Sequence, residues 1–327
     1  MFKDQTILIS GGSGSWGREL TRQLLEKDPK KIIIFSRGEI AQVDMCRKFN
    51  DDRIQYVIGD VRDAVEVNAA FAMGIDYVFQ LAALKHVPIC ENQPREAIKT
   101  NIMGTMNLVD AAIKYKIKKF IDISTDKAAD PSNLYGMTKA IGEKLTIQAN
   151  CLTKDTEFIC IRGGNVLGTN GSLVPYVIDQ IKTNNEVKVT DERMTRFFLT
   201  LPQAIELLFF AVEKGVGGET YIMNMPSFYI IDLIKCLVES YGNAQTKIKI
   251  IGIREGEKIH EVLISEHEVP YTKYVNENYY VIAPQLKTGR VYAKNAVVPA
   301  LTDALTSAHN LRSKEYLSEL LKIGGWL

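Results

Sequence analysis

The chain has 327 residues, 46% of them hydrophobic and 24% charged, and its 40 Lys and Arg against 39 Asp and Glu leave a formal charge of +1. This composition excludes a disordered chain, and near-neutrality excludes nucleic acid or an anionic membrane as a whole-surface partner, so an anionic ligand has to be caught locally. No apolar run approaches the length of a membrane span, and the first strand-like segment begins almost at Met1, which leaves no room for a signal peptide and points to a cytoplasmic protein.

In chain order, short β-branched runs at residues 6–10, 31–35, 54–58, 77–81, 120–124 and 158–162 alternate with longer amphipathic stretches such as 17–26, 94–115 and 134–149. Continuous apolar strands separated by helix-length segments predict an α/β fold, a Rossmann-type doubly wound parallel sheet covered on both faces. Beyond about Gly168 the texture changes to Gly- and Asn-bearing loops with helices expected at 173–182, 202–213 and 313–322. Residues 1–168 are therefore expected to form the dinucleotide-binding domain, with later returns of the chain allowed for. Residues 169–327 are expected to form mainly a smaller, interleaved substrate-binding portion. The five cysteines, Cys46, Cys90, Cys151, Cys160 and Cys236, are scattered and read as small buried hydrophobes. His260-Glu261 lacks a second histidine four residues on, and no metal is expected.

Directly after the first strand comes Ser10-Gly11-Gly12-Ser13-Gly14-Ser15-Trp16-Gly17. A strand-to-helix turn of this kind needs glycine for a tight bend, for close approach of backbone to pyrophosphate and for packing of the helix, whose amides then face the anion. The second strand ends in Ser36-Arg37, where NAD-binding chains usually carry an acid; a guanidinium there suits a 2′-phosphate and favours NADP, while Glu39 keeps NAD open. Asp60 and Val61, after the third strand, are placed to meet the adenine.

Tyr135 and Lys139 stand one helical turn apart on one face, where an ammonium can favour the phenolate of a general base. Ser124, at the end of the fifth strand, can bond the same substrate hydroxyl. A solvated helix face is the bland reading of a lone Tyr-x-x-x-Lys, but behind a dinucleotide loop the pair reads as a hydride-transfer site. Between them lies Ser124-Thr125-Asp126-Lys127-Ala128. In an extended segment Asp126 and Lys127 would face opposite ways and approach a sugar from different sides; a surface turn with two solvated charges is the alternative.

These motifs, with Asn133-Leu134-Tyr135-Gly136, Leu84-Lys85-His86-Val87-Pro88, Gly171-Ser172-Leu173-Val174-Pro175 and Thr190-Asp191-Glu192-Arg193-Met194-Thr195-Arg196-Phe197, resemble the soluble, inverting UDP-N-acetylglucosamine 4,6-dehydratases that begin pseudaminic acid synthesis, within the extended short-chain dehydrogenase/reductases. The likeness runs through about residue 265. It implies that Tyr135 takes the C4 hydroxyl proton as NADP accepts the C4 hydride, that Lys127 removes the C5 hydrogen, and that Asp126 protonates the departing C6 hydroxyl. It further implies cofactor contacts at Leu81, Ala82, Ala83, Lys85 and Asn101. Contacts to the UDP-sugar are implied at Lys85, His86, Asn165, Ser172, Val174, Thr190, Arg196, Arg254 and Glu257. Arg196 and Arg254 are the candidates for the pyrophosphate, with a structural salt bridge as the alternative for each. A homo-oligomer paired through helices 94–115 and 134–149 is expected.

The chain also departs from the pattern. Gly38 and Ala41 stand where the family commonly has Asp and Lys, and Gly163 stands where it has an aromatic residue. These changes leave open a paralogue that performs a partial reaction through the 5,6-ene. A UDP-sugar 4-epimerase, which has no need of Asp126 and Lys127, and an NADP-sensing regulatory protein without turnover are the remaining alternatives.

Overall fold

The computed structural model describes residues 1–169, 171–286 and 301–327. The first half alternates strand and helix: β1 (Thr6–Ser10), α1 (Ser15–Leu25), β2 (Lys31–Ser36), α2 (Glu39–Phe49), β3 (Ile54–Ile58), α3 (Ala64–Phe71), β4 (Tyr77–Gln80), α4 (Val87–Asn92), α5 (Pro94–Ile98), α6 (Gly104–Lys114), β5 (Lys119–Thr125), α7 (Leu134–Leu152) and β6 (Glu157–Gly163). It continues with β7 (Asn165–Val166), α8 (Leu173–Asn184), β8 (Glu186–Val189), β9 (Thr195–Leu199), α9 (Leu201–Lys214), β10 (Thr220–Met223), β11 (Ser227–Tyr229), α10 (Ile230–Tyr241) and β12 (Lys247–Ile250). The last elements are β13 (Val262–Ile264), β14 (Thr272–Asn276), β15 (Tyr279–Ile282), β16 (Leu305–Thr306) and α11 (Lys314–Ile323).

Nine strands form one sheet in the order β14-β15-β10-β6-β5-β4-β1-β2-β3, parallel from β10 to β3 and antiparallel where β15 and β14 are added. The chain thus returns to the first-half sheet three times after residue 168. Alternation along β1 divides the core: Ile7 and Ile9 pack with Leu20 and Leu24 of α1 on one face, and Leu8 packs with Leu108 and Ala112 of α6 on the other. A third core, built from α8, α10, α11 and the β11-β9-β7 sheet, supports the second half.

The helical run expected at 94–115 is broken at Lys99–Met103 into a π-helical turn. The wider turn has a local reason. Asn101 sits in it, its Oδ1 accepting from Leu84 N at 2.8 Å and its Nδ2 donating to Leu84 O at 2.9 Å and to Thr138 Oγ1 at 3.0 Å. Among the cysteines, Cys90, Cys160 and Cys236 are buried, but Cys46 and Cys151 are exposed, correcting the expectation that all five are core residues. Both lie on solvent-facing positions of amphipathic helices. No helix among the described residues is long and apolar enough to cross a membrane.

Candidate active site

The carboxyl ends of β1, β2, β4, β5 and β6 open into a cleft of about 1010 Å³. At its β1 end α1 follows Gly14, which as N-cap has no side chain to cap the helix, and a helix start of this kind is suited to an external anion. A Cβ on Gly17 would lie 2.1 Å from Gly12 O, so only glycine lets α1 sit this close to the loop. Ser36 Oγ donates to Ser13 Oγ at 3.0 Å, and Gln42 Nε2 donates to Ser36 O and Val57 O, each at 2.9 Å, tying the loop to the ends of β2 and β3. Arg37 is exposed at the rim, 3.9 Å from Asp60, which Arg62 holds more closely at 2.6 Å.

At the β5 end the strand presents Ser124, whose buried Oγ has no protein partner, and then Thr125. The chain does not stay extended beyond it. Asp126–Ala128 form a 3₁₀ turn, and instead of facing opposite ways Asp126 Oδ1 and Lys127 Nζ meet at 3.0 Å. Thr125 Oγ1 also bonds Asp126 Oδ1, at 2.9 Å. The turn rests on α7 at Gly136, where a Cβ would lie 2.3 Å from Lys127 O, and α7 is capped by Asn133, whose Oδ1 accepts from Gly136 N at 2.9 Å. Tyr135 and Lys139 therefore point from the first turns of α7 toward the end of β5.

Lys139 Nζ lies 3.1 Å from Asp122 Oδ1, both groups buried. Burial opposes its charge, but Asp122 and Tyr135 outweigh that and hold it as an ammonium. Burial pushes the Tyr135 phenol above its ordinary value, with Lys139 and Lys127 pulling the other way without cancelling it. Burial likewise pushes the Asp126 carboxyl up. Burial would lower Lys127, but Asp126 and Glu261 overcome it and hold the ammonium. In the resting site Lys127 is charged and Tyr135 is a phenol, so neither is a ready-made base.

A match to the polysaccharide biosynthesis protein family spans residues 7–284. The chain belongs to that family. Over 291 residues, 88% of this chain and 85% of the relative, it is 45% identical to the UDP-N-acetylglucosamine 4,6-dehydratase (inverting) of Campylobacter jejuni. Over 331 residues, 98% of this chain and 96% of the relative, it is 40% identical to a UDP-glucose 4-epimerase of Rickettsia bellii. Among solved structures, Pen from Bacillus thuringiensis superimposes with a TM-score of 0.94 at 38% identity, covering 100% of both chains.

In this family member the predicted residues divide by position. Gly11, Ser13, Gly14, Ser15, Trp16, Gly17, Ser36, Arg37, Asp60, Val61, Leu81, Ala82, Ala83 and Lys85 all line the cleft, as do Ser124, Thr125, Lys127, Tyr135 and Lys139. From the substrate set His86, Asn165, Ser172 and Val174 line it, and the buried Ser172 Oγ has no protein partner. Asn101 does not; both of its amide atoms are spent on Leu84 and Thr138, so it holds the wall of the cleft from behind. Asp126, 1% exposed, is not among the lining residues either, but its neighbours Thr125 and Lys127 are.

Thr190, Arg196, Arg254 and Glu257 are not among the lining residues. Thr190 Oγ1 is turned to Met194 Sδ at 3.0 Å. Arg254 and Glu257 face each other at 4.0 Å in a loop that Asn133 and Ser132 tether through Gly256 O. Arg196 is buried, its Nη1 donating to Thr195 O at 2.7 Å and Ile259 O at 3.1 Å. Each arginine has a carboxylate partner, Arg196 in Glu261 at 3.3 Å and Arg254 in Glu257 at 4.0 Å. Two members of the site escaped the sequence reading: Asp122, disguised as one polar residue in an apolar strand, and Glu261, which lies 134 positions after Lys127 and carries no spacing signal toward it.

Proposed function

We propose that the chain is an NADP-dependent UDP-N-acetylglucosamine 4,6-dehydratase that inverts C5, giving a 4-keto-6-deoxy UDP-sugar of the kind used for pseudaminic acid-type sugars. The observation that carries this reading is the contact of Asp126 and Lys127 beside Tyr135 and Ser124. An epimerase needs only the tyrosine, the lysine and the serine; elimination of water needs an acid and a base besides.

The fit of a dinucleotide rests on the uncapped start of α1 and the glycine approach at Gly17, with Ser36 and Arg37 at the ribose. Bound NADP would supply the oxidant at C4 and return the same hydride at C6. Tyr135 and Ser124 hold the C4 hydroxyl; Tyr135 first loses its own phenol proton to solvent, helped by the charges of Lys139 and Lys127, and as the phenolate takes the hydroxyl proton. Passing one proton from Lys127 to Asp126 across 3.0 Å makes the amine and the carboxylic acid that elimination requires in a single move. The amine removes the C5 hydrogen, acidified by the adjacent ketone, and the proton held by Asp126 goes out with the C6 hydroxyl as water. A solvent proton delivered to C5 on the face opposite Lys127 completes the inversion, and the proton left on Lys127 restores its ammonium.

Purified protein incubated with UDP-N-acetylglucosamine and NADP is expected to give a product lighter by one water, with a 6-methyl signal and inverted C5 in its proton NMR spectrum. The epimerase reading, which the Rickettsia relative favours, gives a product of unchanged mass instead. We also infer that the chain forms a homo-oligomer through the outer faces of α6 and α7, where apolar side chains stand exposed.

A further inference from the structure

Lys127 has two carboxylate partners, not one. Its Nζ lies 3.0 Å from Asp126 Oδ1 and 3.3 Å from Glu261 Oε1, and the same Glu261 oxygen lies 3.3 Å from Arg196 Nε. Glu261 is 4% exposed and Asp126 1%, so solvent does little to screen the four charges, which sum to zero. Glu261 is fixed at the entry to β13 by its own backbone, whose N–H donates to Ser307 Oγ at 2.9 Å. Asp126 Oδ2, buried, has no protein partner.

We propose that Glu261, braced by Arg196, is a positioning residue for the Asp126–Lys127 pair: it takes a share of the Lys127 ammonium, so that Asp126 commits only one oxygen to Lys127 and keeps the other free for the proton it must carry. Arg196 then acts through Glu261 and is not a ligand of the pyrophosphate. This rests on the reading of Asp126 and Lys127 as the elimination acid and base.

The charged and titratable groups around the pair give the test its sign. Asp126 faces Lys127 and Glu261. Lys127 faces Asp126, Glu261 and Arg196. Tyr135 feels Lys139, Lys127 and Asp126, and Glu261 also feels Lys258. His260 is directed away, its Nδ1 2.8 Å from Thr195 Oγ1. Removing the Glu261 charge makes every proton in the cluster easier to lose; removing the Arg196 charge makes each harder to lose. Glu261→Gln should therefore move both limbs of the kcat–pH profile down, by about one pH unit. Arg196→Met should move both limbs up by a similar amount while leaving KM for the UDP-sugar nearly unchanged. Glu261→Asp should restore the wild-type limbs in part.

The measurement is kcat and KM for water loss across pH on wild type and the three variants, each checked for folding by its melting temperature. Limbs that stay in place while kcat falls uniformly would overturn the proposal, as would a large rise in KM alone in Arg196→Met. If Glu261→Gln does not fold, the opposite sign expected of Arg196→Met decides by itself. A wild-type protein that releases no water refutes the dehydratase reading instead, so the two failures are distinct.

Discussion

If the cofactor is NADP, as proposed, Arg37 is the residue placed to read its 2′-phosphate. Its guanidinium stands exposed at the cleft rim, 3.9 Å from Asp60, which Arg62 holds more closely at 2.6 Å. Arg37 is therefore within reach of a 2′-phosphate, while Glu39, two residues on, is the acid that could serve the ribose hydroxyls instead. Replacing Arg37 with Ala should raise the dissociation constant for NADP by about tenfold or more, the worth of a charge-assisted hydrogen bond, and leave that for NAD nearly unchanged. Calorimetric titration with both cofactors checks this. Equal losses for the two would mean that Arg37 supports the loop and does not read the phosphate. At this scale the glycine loop, Ser124, Tyr135 and Lys139 were legible because their chemistry depends on local spacing. Glu261 and the counter-ion Asp122 were not, since only the fold brings them to Lys127 and Lys139. The partner of Arg196 was hidden for the same reason: an arginine in a motif shows its charge, not the carboxylate it meets in the fold, here Glu261 at 3.3 Å.

Among the elements, β6, α7 and the turn before β14 are joined through one buried cation. Arg162 is 2% exposed and donates to Glu143 at 3.1 and 2.7 Å, to Glu268 at 2.9 and 2.8 Å, and to Leu263 O at 2.9 Å. This clamp fixes the C-terminal half of the molecule to the helix that carries Tyr135. Burial would raise the Glu268 carboxyl, but Arg162 outweighs it and holds it below the ordinary carboxylate range. A depressed folded value means that the stabilisation is present above the unfolded carboxylate value and is lost as pH falls through the folded one. Glu268→Gln should thus cost about 2 kcal/mol at neutral pH, and the gap to wild type should close below about pH 4. Urea unfolding at several pH values measures it; a gap independent of pH would show that packing, not charge, is what the substitution removes. The first-half strands were readable from their unbroken β-branched runs. The π-helical turn at Lys99–Met103 was not, because it answers to a contact with Leu84 that no helical periodicity records.

Across the whole molecule, the substrate cleft lies on one side of α7 and an exposed apolar face on the other. Met103 is 50% exposed, Met106 45%, Met137 46% and Ile141 45%, on the adjoining turns of the π segment, α6 and α7. Large apolar side chains gathered on two packed helices signal a surface meant to be covered, and a second copy presents the same two helices with the same chemistry. Because Asn133, Tyr135 and Lys139 sit at the start of α7, that contact would also hold the catalytic helix rigid. A chain carrying both Met106→Glu and Ile141→Glu is expected to run as a monomer in light scattering where wild type runs as a dimer or larger. Its fold should be intact by circular dichroism, since neither residue belongs to a buried core, but its kcat should fall as α7 loses its support. A wild-type monomer would overturn the homo-oligomer, and a double variant that remains associated would place the interface elsewhere on the surface.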